Sequence, residues 1–395
     1  MAGKETQLNA DAYNTVKASE LMTILENAVM ELRNNPEIAD QMPAFMLRGA
    51  PGVGKSTMVK AVAKKLGIGF RDIRLAQMER VDCAGIPSVE KTADGYGRTV
   101  WNIPNFWPDA KKEPYGIILL DEITSAPSDV QVAAYSIVLD RCIPNSGYKL
   151  PDGWLIVAAG NRSQDKAVVK GMSSALANRF DHFDVEANYE DWLNWATLNQ
   201  IHPAITGYIK CRPHNLFKMS DNKTTLERGW ASPRSWERVS TMLKVFGGSD
   251  SILRKTVYGL IGNGVGGEFM EFYKQNRVYD DILYVLQNEG KGKNGEMYKI
   301  PSDITADKTW ATTFAIIYHL WNTDDPKDQE KRLRGFWKLF NQLRGDFQQL
   351  CAQSIAQGTT KLSSGQACQK IMKCPEYQEY KQVFNDLFKN QGKGL

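Results

Sequence analysis

The stretch from Phe45 to Leu66 reads FMLRGAPGVGKSTMVKAVAKKL. A short apolar run comes first, a glycine-rich turn follows, and the remaining residues show the periodicity of an amphipathic helix. From Gly49 to Ser56 the turn matches the pattern G-x-x-x-x-G-K-[ST]. Glycines allow backbone N–H groups to curl around a phosphate, and the start of a helix adds its positive end. The stretch therefore predicts a strand, a phosphate-binding loop and a helix, and a nucleoside triphosphate as ligand.

The side chains of this loop suggest how the ligand is held. Lys55 has the reach and charge for the β and γ phosphates, and the Ser56 hydroxyl suits Mg²⁺. We therefore expect ATP and Mg²⁺ to bind here. The candidate nucleotide contacts run through the loop into the helix: Gly49, Pro51, Gly52, Val53, Gly54, Lys55, Ser56 and Thr57.

Composition narrows the class of protein. The chain has 395 residues, enough for two or three domains, and its net charge is +4. That balance argues against a nucleic-acid partner on composition alone. Six scattered cysteines form no C-x-x-C pair, which favours reduced thiols in a cytoplasmic protein. No apolar run approaches 18 residues and the N-terminus lacks a signal-peptide pattern, so we expect no membrane contact.

Strand and helix patterns alternate up to residue 188 and predict an α/β fold, a parallel sheet with helices on both faces. Residues 116–124 form an apolar run typical of a buried parallel strand. Extended pieces around a turn at Asp94-Gly95 predict a hairpin insert near 84–108, and a second hairpin is predicted near 141–157. After residue 189 the strand patterns stop. We expect helices over 189–290 and a helical C-terminal extension over 291–395.

Three polar residues follow the two strongest strand patterns. Asp121 and Glu122 end the apolar run, and Asn161 ends the strand pattern of 154–161. In open α/β sheets, ligands bind at the carboxyl ends of the strands. Asp121 is then placed to bind Mg²⁺, and Glu122 to orient and deprotonate an attacking water. The Asn161 amide is placed to bond that water or the γ-phosphate.

Two arginines complete the set of candidate site residues. Arg179 lies between a helix and a strand in the segment SSALANRFDHFDV, where a guanidinium can act as an arginine finger on a neighbouring subunit. A salt-bridging surface arginine is the simpler alternative. Arg234 follows Pro233 in the first turn of a predicted helix, where the helix dipole disfavours a cation. An anionic partner such as the triphosphate would account for that position.

The order GAPGVGKS, IILLDE, AAGN, ANRF, SPRS resembles that of the AAA+ ATPases, and its details look like the MoxR family. The resemblance covers about residues 20–270. It implies a Walker A loop, a Walker B pair at Asp121 and Glu122, a sensor-1 residue at Asn161, an arginine finger at Arg179 and a sensor-2 residue at Arg234. It also implies an AAA+ core over 1–188 and an α-helical lid over 189–290.

The resemblance also implies what the protein acts on. Family members are commonly hexameric rings that remodel partner proteins, often one with a von Willebrand A domain. We therefore expect an ATP-hydrolysing homo-oligomer with a protein partner. The alternative is a nucleic-acid-associated motor or a restriction-type NTPase subunit, against which stand the modest charge and the lack of a clear basic stripe. Tyr96 and Trp101 in the first insert either grip a substrate or pack the hairpin.

Overall fold

A computed structural model of the chain describes residues 14–93, 95–162, 172–219, 229–301 and 304–381. Its internal contacts divide the chain into two compact units, Met1–Asn188 and Tyr189–Leu395. Within the described ranges, the named strands all belong to the first unit and the second is built from helices. The further division of the second unit at residue 290 stays a prediction.

The first unit is organised around a six-stranded sheet in the order β1-β10-β2-β9-β6-β3. Each neighbouring pair in this sheet is parallel. The remaining four strands form two separate antiparallel hairpins. The strands are β1 Thr15–Val16, β2 Ala44–Arg48, β3 Gly69–Arg74, β4 Ile86–Lys91, β5 Gly97–Asn102, β6 Tyr115–Asp121, β7 Cys142–Ile143, β8 Tyr148–Lys149, β9 Gly153–Gly160 and β10 Phe180–Val185.

Helices cover both faces of this sheet. They are α1 Ala18–Asn34, α2 Lys55–Leu66, α3 Arg80–Ala84, α4 Ser128–Asp140 and α5 Ser174–Ala177. Because side chains alternate along a strand, Ile117 and Leu119 of β6 join the apolar cluster of α1 and α2, while Ile118 and Leu120 join that of α4. All four are fully buried, which explains the continuous apolar run. The predicted fold class, a parallel sheet with helices on both faces, is confirmed.

The start of the described chain differs from the prediction in one respect. In the sequence, residues 15–33 have the apolar periodicity of a helix, yet Thr15 and Val16 form β1 and pair in parallel with Asp184 and Val185. The first helix begins only at Ala18. A two-residue edge strand carries too few side chains to show a pattern of period two, so the sequence did not reveal it.

A hairpin occurs in each of the two segments expected to contain one. In the first, β4 pairs with β5 and Ile86 lies opposite Asn102; Asp94 of the predicted turn lies outside the described residues. Tyr96 near its tip is 73% exposed, so in this chain the ring does not pack the hairpin. In the second, β7 pairs with β8 immediately before β9.

The second unit contains ten named helices in its described ranges. Aromatic side chains fill part of its core: the Tyr208 ring centroid lies 5.6 Å from that of Trp236 and 5.3 Å from that of Phe269. The helices are α6 Tyr189–Leu198, α7 Pro203–Cys211, α8 Pro233–Phe246, α9 Asp250–Ile261, α10 Asn263–Gln275, α11 Tyr279–Gln287, α12 Ala306–Trp321, α13 Pro326–Phe340, α14 Gly345–Gln357 and α15 Ser364–Met372.

The helical pattern over 308–355 resolves into three helices. Pro326 occupies the first turn of α13, where its missing N–H costs no hydrogen bond, and the Asp325 side chain caps that turn by accepting from the Lys327 N–H at 3.0 Å. The α13 helix ends at Phe340, and the next helix begins at Gly345. Five apolar residues of this pattern form one stripe in the sequence, which predicts that they face the core, and all are buried: Leu333, Phe336, Trp337, Phe340 and Leu343.

Two features of the structure concern the predictions about cysteines and membranes. All six cysteines are free thiols. Among the described helices, none has both the length and the apolar character needed to cross a bilayer.

Candidate functional site

Three strand ends meet at one edge of the sheet. Arg48 at the end of β2 lies opposite Gly160 at the end of β9, and Leu120 of β6 lies opposite Ala158 of the same strand. Since the strands are parallel, their carboxyl ends face the same way, and the segments that follow them begin side by side. The phosphate-binding loop, the acidic pair and Asn161 all follow these ends.

The loop between β2 and α2 has the backbone that its glycines predict. Gly54 caps α2 with a φ of +103°, a left-handed conformation that favours glycine. Lys55 begins the helix and is only 8% exposed. Its Nζ donates hydrogen bonds to the carbonyl oxygens of Gly49, at 2.6 Å, and of Ala50, at 3.2 Å. The lysine therefore folds back over its own loop, where a phosphate is expected.

Two further contacts tie this loop to the neighbouring strands. Lys55 Nζ also donates to Asn161 Oδ1 at 3.3 Å. Ser56 Oγ donates to Asp121 Oδ2 at 2.6 Å. The structure therefore brings Asp121 and Asn161, which are distant in sequence, to Lys55 and Ser56, and all four were predicted as site residues.

The Ser56–Asp121 pair fits a magnesium ion by its chemistry. Mg²⁺ prefers oxygen ligands and is usually held by one or two carboxylates, with phosphate oxygens and water completing its shell. A hydroxyl and a carboxylate oxygen, 2.6 Å apart beside the phosphate-binding loop, supply such a donor set. Among the described residues, no group of three or more His, Cys, Asp or Glu side chains is placed to form an all-protein metal site.

Glu122 sits on a strained turn directly after β6. Its φ is +59°, a left-handed conformation uncommon for residues other than glycine. The turn is held at both ends: the Glu122 N–H donates to Asp121 Oδ1 at 2.9 Å, and the Glu122 carbonyl accepts from the Ser125 N–H at 2.9 Å. Backbone strain of this kind is frequent at active sites and persists because the surroundings hold it.

The sequence analysis missed Thr124, which touches this site. Its Oγ1 accepts a hydrogen bond from the Asn161 main-chain N–H at 3.1 Å. Thr124 matches no position of the phosphate-loop pattern or the acidic pair. Its neighbours Glu122 and Ser125 are polar as well, so nothing in the local sequence distinguished Thr124.

Arg179 lies at the start of β10, directly after α5. Its guanidinium carbon is 4.6 Å from the ring centroid of Tyr135 on α4, and its Nη1 donates to the Ala175 carbonyl. Its Nε is buried and has no hydrogen-bond partner within the described ranges. These contacts hold the side chain against its own unit, and none of the contacts found among the described residues joins it to Lys55 or Asp121.

Arg234 belongs to the second unit. It occupies the second position of α8, on the exposed side of the first turn, and Ser232 caps that turn by accepting from the Ser235 N–H at 3.2 Å. The predicted helix start at Pro233 is correct. A role for Arg234 in nucleotide binding stays a prediction.

A cavity of about 720 Å³, which was not predicted from the sequence, opens beside the end of β3. Its lining includes Asp72, Arg74 and Asp82, together with apolar side chains such as Met78 and Phe106. Burial raises the pKa of Asp72, and the negative charge of Asp121 raises it further. The Asp72 carboxyl is therefore electrostatically linked to Asp121.

Comparison with known proteins agrees with this arrangement. Residues 45–186 match the family described as "ATPase family associated with various cellular activities (AAA)". A segment of 155 residues, 39% of this chain, is 32% identical to Lon protease of Lawsonia intracellularis and spans 17% of that protein.

Two solved structures show a more distant likeness. A mutant of RuvB from Thermotoga maritima is 16% identical, with a TM-score of 0.33, over 68% of this chain and 80% of that one. NtrX from Brucella abortus, solved with ATP, is 14% identical, with a TM-score of 0.27, over 63% of this chain and 67% of that one. The family match, the parallel sheet and the polar groups at its edge agree with one another. The stretch that matches the AAA ATPase family, residues 45–186, runs from β2 to β10.

Proposed function

We propose that this protein hydrolyses ATP, with Mg²⁺, at the carboxyl edge of the sheet in its first unit. One observation carries the proposal. Lys55 Nζ donates to Asn161 Oδ1 at 3.3 Å, and Ser56 Oγ donates to Asp121 Oδ2 at 2.6 Å. An ammonium group, an amide, a hydroxyl and a carboxylate therefore lie together beside the phosphate-binding loop.

Each residue has a role that follows from its chemistry. Lys55 carries the positive charge for the β and γ phosphates, which it reaches by leaving the carbonyls of its own loop. Glu122 accepts the proton of the attacking water, and Asn161 orients that water or the γ-phosphate. Ser56 and Asp121 would hold Mg²⁺, and the bound ion would neutralise negative charge on the phosphate oxygens.

The active form that we propose is a ring of identical subunits, six by analogy with the MoxR family. Arg179 of one subunit completes the site of the next, and Arg234 contacts the triphosphate from the helical unit. In the isolated chain the Arg179 guanidinium rests on Tyr135 of its own unit, so the proposed role requires the side chain to leave this contact on assembly. Hydrolysis in the ring remodels a partner protein, of the kind that carries a von Willebrand A domain.

A mixing experiment tests the shared site. We expect Arg179→Ala and Glu122→Gln each to inactivate the enzyme. The two inactive proteins are then combined and allowed to exchange subunits. An interface that joins an intact pocket from the first to an intact Arg179 from the second has every part, so we expect ATPase activity to return. Steady-state phosphate release is the readout.

A second mixture serves as the control. Lys55→Ala and Glu122→Gln damage the same pocket, so no interface between them is complete and activity should stay absent. If subunit exchange is demonstrated and the first mixture is as inactive as this control, Arg179 does not act across a subunit boundary in the way proposed.

One observation favours the second candidate, a nucleic-acid-associated motor. Four cations recur on α13 at spacings of three and four residues and are all exposed: Lys327, Lys331, Arg334 and Lys338. Side chains at these spacings share one face of a helix. Arg334 forms an ion pair with Glu289 at 3.0 Å, and the three exposed lysines of this row are the groups that could contact a phosphate backbone.

Charge reversal tests this candidate. A motor that uses this row should bind duplex DNA in a salt-dependent manner, and Lys331→Glu with Lys338→Glu should weaken that binding. Lys255→Glu with Lys274→Glu changes the same number of exposed charges on other helices of the second unit and should not. Equal binding by both variants, or no binding by the wild type, would remove the motor from consideration.

A further inference from the structure

A buried threonine connects the Glu122 turn to the end of the neighbouring strand. Thr124 lies in the short 3-10 turn Ile123–Ser125, two residues after Glu122, and is 6% exposed. Its Oγ1 accepts the hydrogen bond from the Asn161 main-chain N–H at 3.1 Å. Buried polar groups are nearly always hydrogen-bonded, and the partner of this hydroxyl oxygen is Asn161, the first residue after β9.

The packing at this point leaves little freedom. A Cβ at Gly160 would lie 2.6 Å from both Oγ1 and Cγ2 of Thr124, closer than real Cβ contacts come. The pairing of β9 with β2 ends at Gly160, which lies opposite Arg48. Asn161 is therefore beyond the sheet register, and Thr124 fixes its main chain where the strand ends.

The contact belongs to a continuous path through the site. The Glu122 carbonyl accepts from Ser125, one residue beyond Thr124, and Thr124 holds the Asn161 main chain. The Asn161 side chain in turn accepts from Lys55 Nζ at 3.3 Å. The turn that carries the proposed general base is thus linked through Thr124 and Asn161 to the phosphate-binding lysine.

We infer that Thr124 is a positioning residue that holds the Asn161 amide in register with Glu122. The inference rests on the ATP hydrolysis proposed above, and Thr124 acts through Asn161 rather than on the nucleotide. Because a misplacement of about 1 Å can lower a rate by roughly 10²-fold, a small shift of Asn161 is enough to matter. The binding of nucleotide, which the phosphate loop supplies, should be almost unaffected.

Two substitutions separate the hydroxyl from the shape of the side chain. Thr124→Val keeps the volume and removes the acceptor, and we expect kcat to fall by about 10- to 100-fold. The dissociation constant for a fluorescent ATP analogue should stay within about 2-fold, since no loop contact changes. Thr124→Ser restores the hydroxyl and should recover kcat to within about 3-fold of the wild type. If Thr124→Val does not fold, Thr124→Ala replaces it.

A double-mutant cycle tests the route of the effect. If Thr124 acts through Asn161, then Thr124→Val in an Asn161→Ala background should lower kcat no further than Asn161→Ala alone. Effects that multiply instead would show that Thr124 works by another route, and the inference would be wrong. Thr313→Val is the control, because Thr313 is a buried threonine on α12 that bonds only to its own helix among its described hydrogen bonds, and kcat should not change.

A readout without turnover separates this inference from the proposed function. Hydrogen–deuterium exchange of the peptide that ends at residue 162 should be faster in Thr124→Val than in the wild type, because the Asn161 N–H loses its acceptor. A wild-type protein with no ATPase activity would overturn the proposed function and, with it, the catalytic meaning of Thr124. An active wild type whose kcat and exchange are both unchanged by Thr124→Val would overturn the inference alone.

Discussion

Two buried cations, one in each unit, have different surroundings. Lys55 is 8% exposed and donates to neutral oxygens, the carbonyls of Gly49 and Ala50 and the amide of Asn161. Arg332 is 5% exposed and forms an ion pair with Asp328 at 2.7 Å. Neutral oxygens are partners that a phosphate can replace, whereas a carboxylate already neutralises the charge.

The surroundings of Arg332 explain its role within the helical unit. Its Nη1 donates to the carbonyls of His319 and Asn322, at 2.5 and 2.9 Å, which closes the end of α12. Burial alone would raise the pKa of Asp328, but hydrogen bonds from Thr323 and Arg332 bring it below the ordinary value. The two cations differ in place: Lys55 lies on the phosphate-binding loop, whereas Arg332 closes the end of a helix, so burial of a charge does not by itself indicate function.

The largest expected effect is on Lys55. Lys55→Ala should lower ATP turnover by roughly 10³-fold or more and weaken nucleotide binding, because the β and γ phosphates lose their cation. Lys65→Ala on the same helix is the matched control, since Lys65 is exposed and pairs with Glu26. Turnover is measured by phosphate release. If Lys55→Ala hydrolyses ATP within about 2-fold of the wild-type rate, Lys55 is not the phosphate-binding cation and its contrast with Arg332 fails.

Arg332 should show the opposite behaviour. Arg332→Ala leaves Asp328 without its buried partner and opens the end of α12, so we expect the free energy of unfolding of the second unit to fall by about 3 kcal/mol. Arg334→Ala, two residues along the same helix, removes an exposed pair with Glu289 and should change it by less than about 0.5 kcal/mol.

Denaturant titration followed by tryptophan fluorescence measures both arginine variants. The nucleotide affinity of folded Arg332→Ala protein should match the wild type. Equal stability of the two variants would mean that the Arg332 ion pair is not structural.

A smaller effect is expected from His202, also in the second unit. Burial, together with the nearby His319 and Lys244, lowers the pKa of this imidazole to about 3. The folded pKa lies below the unfolded value of about 6.5, so the unfolded state binds the proton more readily between these values. Stability contributed by neutral His202 is therefore complete above pH 6.5 and is lost as the pH falls.

The pH effect has a defined size and control. Between pH 6.5 and 5 we expect a loss of about 1 kcal/mol, less than the full linkage value because part of the ring reaches solvent. In the wild type, the Ala204 N–H donates to His202 Nδ1 at 3.2 Å. His202→Asn keeps an acceptor for this N–H and removes the titrating ring, so the free energy of unfolding should depend less on pH. Unfolding titrations at several pH values compare the two proteins, and parallel curves would show that another group is responsible.

The sequence predicted those parts of the fold and site that depend on local signals. The glycine loop before Lys55 and the apolar strand before Asp121 are contiguous patterns, so both positions followed from the chain alone. The contacts of Thr124 with Asn161 and of Arg179 with Tyr135 did not, because each joins elements that only the folded sheet brings together. A pattern of period two or 3.6 shows which face of an element is apolar but not which polar group lies opposite it.

The central claim is that Glu122 performs chemistry at a site where Lys55 and its neighbours bind ATP. Glu122→Gln keeps the shape of the side chain and loses the oxygen that accepts the proton of water. With Mg²⁺ and ATP, we expect this variant to bind nucleotide with an affinity within about 3-fold of the wild type and to release phosphate at least about 100-fold more slowly. Phosphate release by Glu122→Gln at the wild-type rate, or none from the wild type itself, would contradict the account.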